Sequence, residues 1–541
     1  MAVYTLILGL LAPLVILGVI RLIRPSAQAI NFPPGPPSVP LLGNLHQVPP
    51  KKSFLELAEL NRTYGSRGLM GLRLGPSANV VVLSSWKAVR DLVDQRGAIY
   101  SSRPYVPLVE YVVPPPGDIH LVFTPYGPKW RKGRKTVTDF LKDSEVDKLL
   151  PIQDAESSQL MFELLQDPKR YYDHIPRCFG AVITASVFGT RGMDYSDTAI
   201  VKRFFDVQGE WAGMLGDGSF PPFDVFPFLR YVPDVLLTPW RGWRKRAESL
   251  KQRQNGLYRE LLSGVRERVA KGQSQHCFLA GLLQHREKDG YSDVELEYIG
   301  GLLMEGGSDT TAAVFETFVL AMAAFPQLQK RAQKEADAFF GHDKMSSDEK
   351  PSSENLPFLK ACFLESLRWR PSFPMNIPHA TSQDDTYEGF FIPAGTTVLM
   401  NIWAIHHDPD EYEDADSFDP SRFLKHPLGL RANVDEEAKM PETRGLRRPS
   451  YGFGAGRRVC PGQRMAENSL LMAMVKLLWS FDIVALPGPG QLDTSVLSGF
   501  RDAILTGPKH FGVDYVVRSE AKKKAIAQEW ARADGFLKQY E

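Results

Sequence analysis

The sequence has few of the residues that build disulfide scaffolds and thiolate metal sites. Its 541 residues include only four cysteines, which lie far apart and form no Cys-x-x-Cys pair. This excludes a disulfide framework and a zinc site held by several thiolates. An excess of one charge is also missing, because 64 Lys and Arg residues balance 63 Asp and Glu residues. A dedicated nucleic-acid-binding protein would carry a basic excess, so that class is excluded as well.

The remaining composition is that of a folded globular protein. Hydrophobic residues make up 43% of the chain and charged residues 23%, which excludes a disordered protein. The length predicts several domains, but no change of composition marks an internal linker. Helical patterns dominate 130–340, whereas short strand patterns occur in 68–83, 386–399 and 482–518. We predict one large, mainly α domain with small β-sheets.

Only one long uncharged hydrophobic run is present, and it lies at the N-terminus. Residues 2–20 form a run of 19 residues, enough to cross a bilayer once as a helix. A cleaved signal peptide is the alternative, but it would carry positive charge before the run, whereas Arg21 and Arg24 follow it. Positive charge on that side keeps the following chain in the cytosol. The predicted parts are a transmembrane anchor over 1–22, a proline-rich hinge over 23–50 and the main domain over 51–541.

A long helix without proline is predicted from a capping box that begins at Ser292. Its roughly 32 residues would span about 48 Å at 1.5 Å each. Gly306 and Gly307 lie at its middle, where each costs about 1 kcal/mol relative to alanine. Either a flat ligand approaches the backbone there, or another helix packs against it. Asp309 and Thr310 follow, as a proton-delivering pair or with Thr310 bonded to its own helix.

A charged pair lies amid apolar residues in a second predicted helix. Glu365 and Arg368 are spaced i,i+3 and therefore share one helix face. Their neighbours Phe363, Leu364 and Leu367 indicate that this face is buried. A buried ion pair needs further partners, and Arg422 is the candidate for a third member.

The last cysteine, Cys460, ends a glycine-rich loop just ahead of a helix predicted over 463–480. Alternating glycines are typical of phosphate loops, but the dinucleotide fingerprint fails at Arg457 and no Walker lysine is present. A thiolate ligand fits better, because the N–H groups at a helix start favour the anion. Phe453 is then expected to shield the sulfur, and Arg458 to meet an anionic group on the rim of a planar ligand. Cys178, Cys277 and Cys362 are interpreted as ordinary buried cysteines.

The segment Phe453-x-x-Gly456-x-Arg458-x-Cys460-x-Gly462 resembles the heme-binding signature of the cytochrome P-450 heme-thiolate monooxygenases. Four further segments fall in the order that this family shows. They are Trp130-x-x-x-Arg134, the run from Gly306 to Thr310, Glu365-x-x-Arg368 with Arg422, and His379. The resemblance covers essentially the whole chain, and the sequence as a whole is most similar to fungal secondary-metabolism members of the family.

The resemblance implies the P-450 fold, with heme b between the long central helix and the Cys460 loop. Cys460 is then the axial metal ligand, and Gly462 completes the cofactor loop. The implied heme contacts are Trp130, Arg134, His379 and Arg458. The heme propionates are the implied partners of the arginine side chains and of the His379 ring. Asp309 and Thr310 relay protons, while Glu365, Arg368 and Arg422 form a structural triad.

Two positions depart from the family pattern. Ser421 replaces the usual glutamate of Pro-Glu-Arg-Phe, which leaves Arg422 in place. Glu305 occupies a position where a small residue is common. Its carboxylate either meets a polar or cationic group of the substrate or faces away from the heme.

The implied activity is insertion of one oxygen atom from O2 into a small organic substrate. Electrons are expected from an NADPH-cytochrome P-450 reductase, with cytochrome b5 as an optional second donor, since no flavin or nicotinamide motif is present. A basic cluster at 129–135 is a candidate docking surface. The implied location is the endoplasmic reticulum membrane, with a single-pass anchor and a cytosolic catalytic domain. The alternatives are an oxygen-independent heme-thiolate isomerase or dehydratase, and a non-catalytic heme carrier.

Overall fold

The computed structural model describes residues 31–541 apart from 77, 217, 219, 274–276, 286–289, 348, 432–446 and 488–491. The predicted anchor over 1–22 and the start of the predicted hinge lie outside the described residues. Within the described part, no single helix is long and apolar enough to cross a bilayer. The helical spans Asp293–Ala324 and Pro326–Phe340 are long and apolar enough only when they are taken together, and the chain bends by 112° between them.

Helices form most of the described chain, as the sequence predicts. The helices of twelve or more residues are α1 Ser53–Tyr64, α2 Pro128–Phe140, α3 Leu150–Gln166, α4 Tyr171–Ile183, α5 Ile200–Leu215, α6 Trp243–Ala270, α7 Asp293–Gly307, α8 Asp309–Ala324, α9 Pro326–Phe340, α10 Pro357–Trp369, α11 Gln463–Ser480 and α12 Glu520–Leu537. Shorter α-helical segments are Trp86–Ala88, Gly97–Tyr100, Pro107–Val112, Asp143–Val146, Phe278–Gln284, Ile402–His406 and Ser421–Lys425. Two π-helical segments are Val89–Gln95 and Thr184–Phe188.

The strands form three small sheets. They are β1 Leu69–Leu74, β2 Ala78–Leu83, β3 His379–Ala380, β4 Asp385–Tyr387, β5 Phe390–Ile392, β6 Thr397–Met400, β7 Phe481–Ala485 and β8 Val513–Val517. The largest sheet has the order β1-β2-β6-β3, in which only the β2–β6 pair is parallel. Strands β4 and β5 form a second sheet, and β7 and β8 form a third.

The part of the predicted hinge that the structure describes is packed against the main domain. The Gly71 N–H donates a hydrogen bond to the Pro34 carbonyl at 2.9 Å. The backbones approach so closely that a Cβ on Gly35 would lie 1.9 Å from the Gly71 carbonyl oxygen. The proline-rich segment is therefore seated on β1 in this region.

The predicted central helix is present over Asp293–Ala324, with a local interruption at Ser308. Its capping box is present, because Ser292 and Glu295 exchange hydrogen bonds at the start of α7. At Ser308 the backbone has φ −92° and ψ −67°, and α8 begins at the next residue. The hydroxyls of Thr310 and Thr311 donate to the carbonyls of Gly306 and Gly307, at 2.7 and 2.8 Å. These bonds occupy two carbonyls at the interruption.

The largest apolar core surrounds α8. Helices α4, α10 and α11 pack against it, and Phe315, Phe318 and Trp479 are fully buried there. Helix α8 therefore has little freedom to move. The C-terminal helix α12, which packs on α3, was not among the elements predicted from the sequence.

Candidate active site

A cavity of about 440 Å³ lies between the α7–α8 junction and the Cys460 loop. Its walls also include residues of α2, α4 and α5 and of the segment 372–378. Most of the lining is aliphatic or aromatic. The candidate catalytic and cofactor residues that line it are Trp130, Arg134, Thr310, Phe453, Arg458, Cys460 and Gly462.

The loop that carries Cys460 is held by its own backbone. The Cys460 N–H donates to the Phe453 carbonyl, and the Gly454 N–H to the Tyr451 carbonyl, both at 2.8 Å. Gly456 has φ +61°, and a Cβ there would lie 2.3 Å from the Val93 carbonyl oxygen. Only glycine fits this backbone conformation and close approach. Helix α11 begins at Gln463, as predicted.

The sulfur of Cys460 faces the cavity, and two effects on its pKa oppose each other. Burial raises the pKa of the thiol, whereas the Gly462 N–H and the Arg134 guanidinium lower it. Burial is the largest of these effects. Cys460 would hold a bound metal cation as a thiolate, because a coordinating thiol is deprotonated.

The predicted structural triad is assembled and buried. Arg368 donates two hydrogen bonds to the Glu365 carboxylate, at 2.7 and 2.8 Å, and Arg422 approaches the same carboxylate at 3.2 Å. Both Glu365 and Arg368 have no exposed surface. The Asp419 N–H donates a further bond to Glu365 at 2.9 Å. The carboxylate thus has the additional partners that a buried charge requires.

The triad is connected to the Cys460 loop through His406. Arg368 donates to the His406 carbonyl at 3.0 Å, and the Tyr451 N–H donates to the His406 ring at 3.0 Å. Burial lowers the pKa of His406 to about 3, so the ring is neutral and its Nε2 accepts this bond. The triad therefore fixes the start of the loop that presents Cys460.

Three guanidinium groups meet at the cavity without an acidic partner. Arg103, Arg134 and Arg458 all line it, and each donates to backbone carbonyls. Among the described residues, no carboxylate forms an ion pair with any of them. Burial, together with the charges of Arg103 and Arg134, lowers the pKa of Arg458 to about 8. Burial lowers the pKa of Arg103 to about 9.

This cluster fits a planar dianionic ligand such as heme b. Buried like charges are costly unless an anion pairs with them, and carboxylates bind guanidinium groups strongly. The residues present thus match both ends of the cofactor: a thiol for the iron and guanidinium groups for the propionates. Arg103 was missed by the sequence reasoning, because a single arginine in a proline-rich loop has no distinguishing spacing.

Two other predicted cofactor residues have different surroundings. Trp130 is buried, and the Arg458 guanidinium lies 4.3 Å from the centre of its ring. His379 is buried and, unlike the neighbouring Pro378, is not among the described cavity-lining residues. Its Nδ1–H donates to the Tyr100 carbonyl at 2.7 Å, and burial holds its pKa well below the ordinary value. A neutral ring in that tautomer has no second N–H, so the propionate contact predicted for His379 needs a second proton.

The two glycines of the central helix serve different neighbours. A Cβ on Gly307 would lie 2.5 Å from Ile183 of α4, whereas one on Gly306 would meet no described atom of another segment within 4 Å. Both glycines border the cavity, and Gly307 is in addition packed against Ile183. The approach of a ligand is therefore possible at both residues, whereas helix packing applies to Gly307.

The predicted proton-relay pair is split between two sides of α8. Thr310 lines the cavity, whereas Asp309 is buried and is not among the cavity-lining residues that the structure describes. Burial raises the pKa of Asp309, and the charge of Arg501 acts against this shift. The Thr310 hydroxyl donates to the Gly306 carbonyl rather than to Asp309, so the relay role of the pair stays a prediction.

Glu305 lies on the cavity wall. Its carboxylate accepts a hydrogen bond from the Tyr258 hydroxyl at 2.5 Å and one from Gln254 at 3.2 Å. His120 Nε2 is 3.1 Å from its other oxygen. The partners His120, Gln254 and Tyr258 were not predicted, because the fold brings them together from distant parts of the chain.

A mainly helical fold with a cavity-facing cysteine and unpaired guanidinium groups defines a heme-thiolate protein. A sequence profile described as Cytochrome P450 matches residues 33–513. The chain belongs to the cytochrome P450 family, and it is a cytochrome P450 monooxygenase. The family implies a heme-thiolate cofactor, a redox partner and an organic substrate.

The chain is similar over nearly its whole length to fungal relatives. It is 33% identical to a cytochrome P450 monooxygenase of Arthrobotrys oligospora, over 94% of this chain and 93% of that one. It is also 33% identical to the cytochrome P450 monooxygenase yanC of Aspergillus niger, over 94% of each chain. A zebrafish cytochrome P450 structure with abiraterone is 24% identical, with a TM-score of 0.66 over 86% of this chain and 100% of that one. That likeness shows the fold.

Proposed function

We propose that this monooxygenase inserts one oxygen atom from O2 into an apolar organic substrate, a fungal secondary metabolite. The carrying observation is that Cys460, three unpaired guanidinium groups and Thr310 share one mostly apolar cavity. The fungal relatives support the proposal, since they are monooxygenases of matching length. When bound, heme b supplies the oxygen activation and the electron transfer.

The residues of this chain have distinct tasks in that reaction. Cys460 would hold the iron, while Arg103, Arg134 and Arg458 would hold the propionates. The apolar walls exclude water and orient the substrate. Thr310 provides a hydroxyl proton at the cavity, and Asp309 replenishes that proton from behind.

Electron supply from an NADPH-cytochrome P450 reductase is part of this proposal, with cytochrome b5 as an optional second donor. Arg131 and Lys132 on α2 are exposed basic groups suited to an acidic partner. Lys129 and Lys135 pair with Asp118 and Asp139, and Arg134 points inward to the Val459 carbonyl.

We further propose a single-pass anchor in the endoplasmic reticulum membrane. It rests on the uncharged run before Arg21.

The first test concerns the cysteine. We expect the reduced protein under carbon monoxide to show the red-shifted Soret band of a thiolate ligand, and we expect Cys460→Ala to lose it. Cys277→Ala is the matched control, because that cysteine is buried away from the cavity lining. A thiolate-type band that survives in Cys460→Ala would overturn the ligand assignment.

The second test concerns the reaction. Thr310→Ala should lower product formed per NADPH at least about tenfold, because reducing equivalents are lost when proton delivery fails. Thr317→Ala is the control, since its hydroxyl makes the same kind of backbone bond on α8 but the residue is not among the described cavity-lining residues. Equal coupling in both variants would contradict the role of Thr310. Product formation without oxygen or reductase would instead indicate an isomerase or dehydratase.

A further inference from the structure

The Glu305 carboxylate belongs to a buried polar cluster that we call the Glu305 cluster, formed by Glu305, His120, Gln254 and Tyr258. All four side chains are at least nine-tenths buried. Among them, Glu305 and His120 line the substrate cavity. A buried polar cluster beside an apolar cavity is costly unless its groups find partners, so its hydrogen bonds define what it can bind.

The cluster is built into the packing of α6 against α7. Tyr258 on α6 reaches Glu305 because Gly301 leaves room one turn earlier on α7. A Cβ on Gly301 would lie 2.4 Å from the Tyr258 ring. Gln254 lies one turn before Tyr258 on the same helix and donates to the same carboxylate oxygen. The carboxylate therefore has a fixed position.

The His120 ring is held equally well. Its Nε2 is 3.1 Å from Glu305, and the rings of Phe123, Trp211 and Tyr298 lie 4.9 to 6.0 Å from it, centre to centre. Its other nitrogen, Nδ1, is buried and has no hydrogen-bond partner in the described structure. Leaving such a buried group without a partner is unfavourable, and a ligand group that pairs with Nδ1 removes that penalty.

A hydroxyl group is the partner that this nitrogen fits best. Nδ1 accepts a hydrogen bond when the ring is neutral with Nε2–H, and it donates one when the ring is protonated. A hydroxyl serves both cases, because it both donates and accepts. An anionic group is disfavoured by the adjacent Glu305 carboxylate. Phe123 and Trp211 also line the cavity, and their rings provide flat apolar surfaces for a substrate beside the His120 ring.

We propose that His120, positioned by Glu305, binds a hydroxyl group of a ring-bearing apolar substrate and thereby sets substrate specificity. This inference rests on the proposed monooxygenase function. A substrate that presents a hydroxyl group to His120 must already carry it on binding. A preceding reaction must therefore supply a substrate that is already hydroxylated.

The test uses the heme-loaded protein and matched aromatic probes that differ by one hydroxyl. The pairs are 2-naphthol with naphthalene, 9-phenanthrol with phenanthrene, and 1-hydroxypyrene with pyrene, titrated by the change in the Soret band. We expect at least one hydroxylated probe to bind about tenfold more tightly than its partner. His120→Phe should reduce that preference to within about twofold while keeping the affinity for the unsubstituted ring.

Three further variants separate specificity from folding. His120→Gln retains a polar group and should restore part of the preference. Glu305→Gln should weaken it, because the amide is a poorer partner for the His120 N–H. Gln208→Leu is the matched control, since Gln208 lines the same cavity but is not a hydrogen-bond partner of Glu305. It should leave the preference unchanged.

Two results would overturn the inference. One is the absence of hydroxyl preference in every pair, and the other is a preference that His120→Phe leaves intact. The carbon monoxide spectrum is recorded for each variant. A lost thiolate-type band would count against the proposed function, whereas a normal band without hydroxyl preference counts against the Glu305 cluster alone.

Discussion

The two sides of the cavity are constructed differently. On the Cys460 side, the side chains of Arg368, His406 and Arg458 bind backbone carbonyls and N–H groups, and these bonds hold the loop. On the α7–α8 side, the helix is interrupted at Ser308, and Gly306 leaves open space. His120 Nδ1, on that wall, has no hydrogen-bond partner in the described structure, although on the Cys460 side His406 Nδ1 and the Tyr451 hydroxyl also lack one.

This difference separates two requirements. The metal ligand has to be held in one position whatever the substrate is, and dense bonding to the backbone achieves this. The opposite wall has to accept a ligand, and the missing Cβ of Gly306 provides space for it. We therefore expect changes on the Cys460 side to affect stability most, and changes on the other side to affect it less.

The largest expected effect comes from breaking the triad. Glu365→Gln should lower the free energy of unfolding by about 3–5 kcal/mol, because it leaves two buried guanidinium groups without their counter-charge. It should also reduce heme retention, since the triad fixes His406 and thereby the start of the loop. Urea unfolding and the heme content of the purified protein measure the two effects.

An exposed pair with the same spacing provides the control. Glu59 and Arg62 are also i,i+3 and lie 3.2 Å apart, but both side chains are more than half exposed. Glu59→Gln should cost less than about 0.5 kcal/mol. Similar costs for the two substitutions would contradict the rigid loop support described for the Cys460 side.

The Cys460 side was largely predictable because its residues are close in sequence or belong to spaced motifs. The capping box at Ser292, the start of α11 and the Glu365–Arg368 pair each depend on local spacing, and the structure has all three. Gly306 and Gly307 marked the region of the interruption, but its position at Ser308 was not predicted, because a cavity next to a helix leaves no periodic signal.

The opposite wall was poorly predictable for a physical reason. The Glu305 cluster combines a loop residue, two residues of α6 and one of α7, and only the tertiary packing brings them together. Glu305 itself was noticed as unusual, but its orientation depended on Gly301 admitting the Tyr258 ring. Sequence spacing carries no information about such a contact.

A smaller effect should distinguish the two central glycines. Gly307→Ala should destabilise the protein by about 1–2 kcal/mol, because the methyl group meets Ile183 at 2.5 Å and overpacking outweighs the gain in helix propensity. Gly306→Ala should leave stability unchanged or raise it by up to about 1 kcal/mol, since no described atom of another segment opposes its Cβ. Urea unfolding of the two variants gives the comparison. A larger loss for Gly306→Ala would mean that the open space there is not part of the cavity.

The smallest effect concerns the pH dependence of stability behind α8. Burial raises the pKa of Glu316 from its ordinary 4.5 to about 8, and Asp309 adds to this while Arg501 opposes it. Between these two values the folded state binds more protons than the unfolded state, so the free energy of unfolding falls as the pH rises. We expect a fall of about 1–2 kcal/mol between pH 5 and pH 8 from this group, allowing for the nearby Arg501.

Glu316→Gln isolates this contribution, because the amide does not titrate. Its unfolding free energy, measured with urea at several pH values, should decline less than that of the unsubstituted protein, and the two should differ most near pH 8. Glu59→Gln is again the control, since an exposed carboxylate carries no burial cost. Parallel pH curves for Glu316→Gln and the unsubstituted protein would show that Glu316 is charged in the folded state, paired with Arg501 at 3.5 Å. The α8 side would then hold a compensated ion pair like that of the triad, and the contrast between the two sides would be confined to the residues that face the cavity.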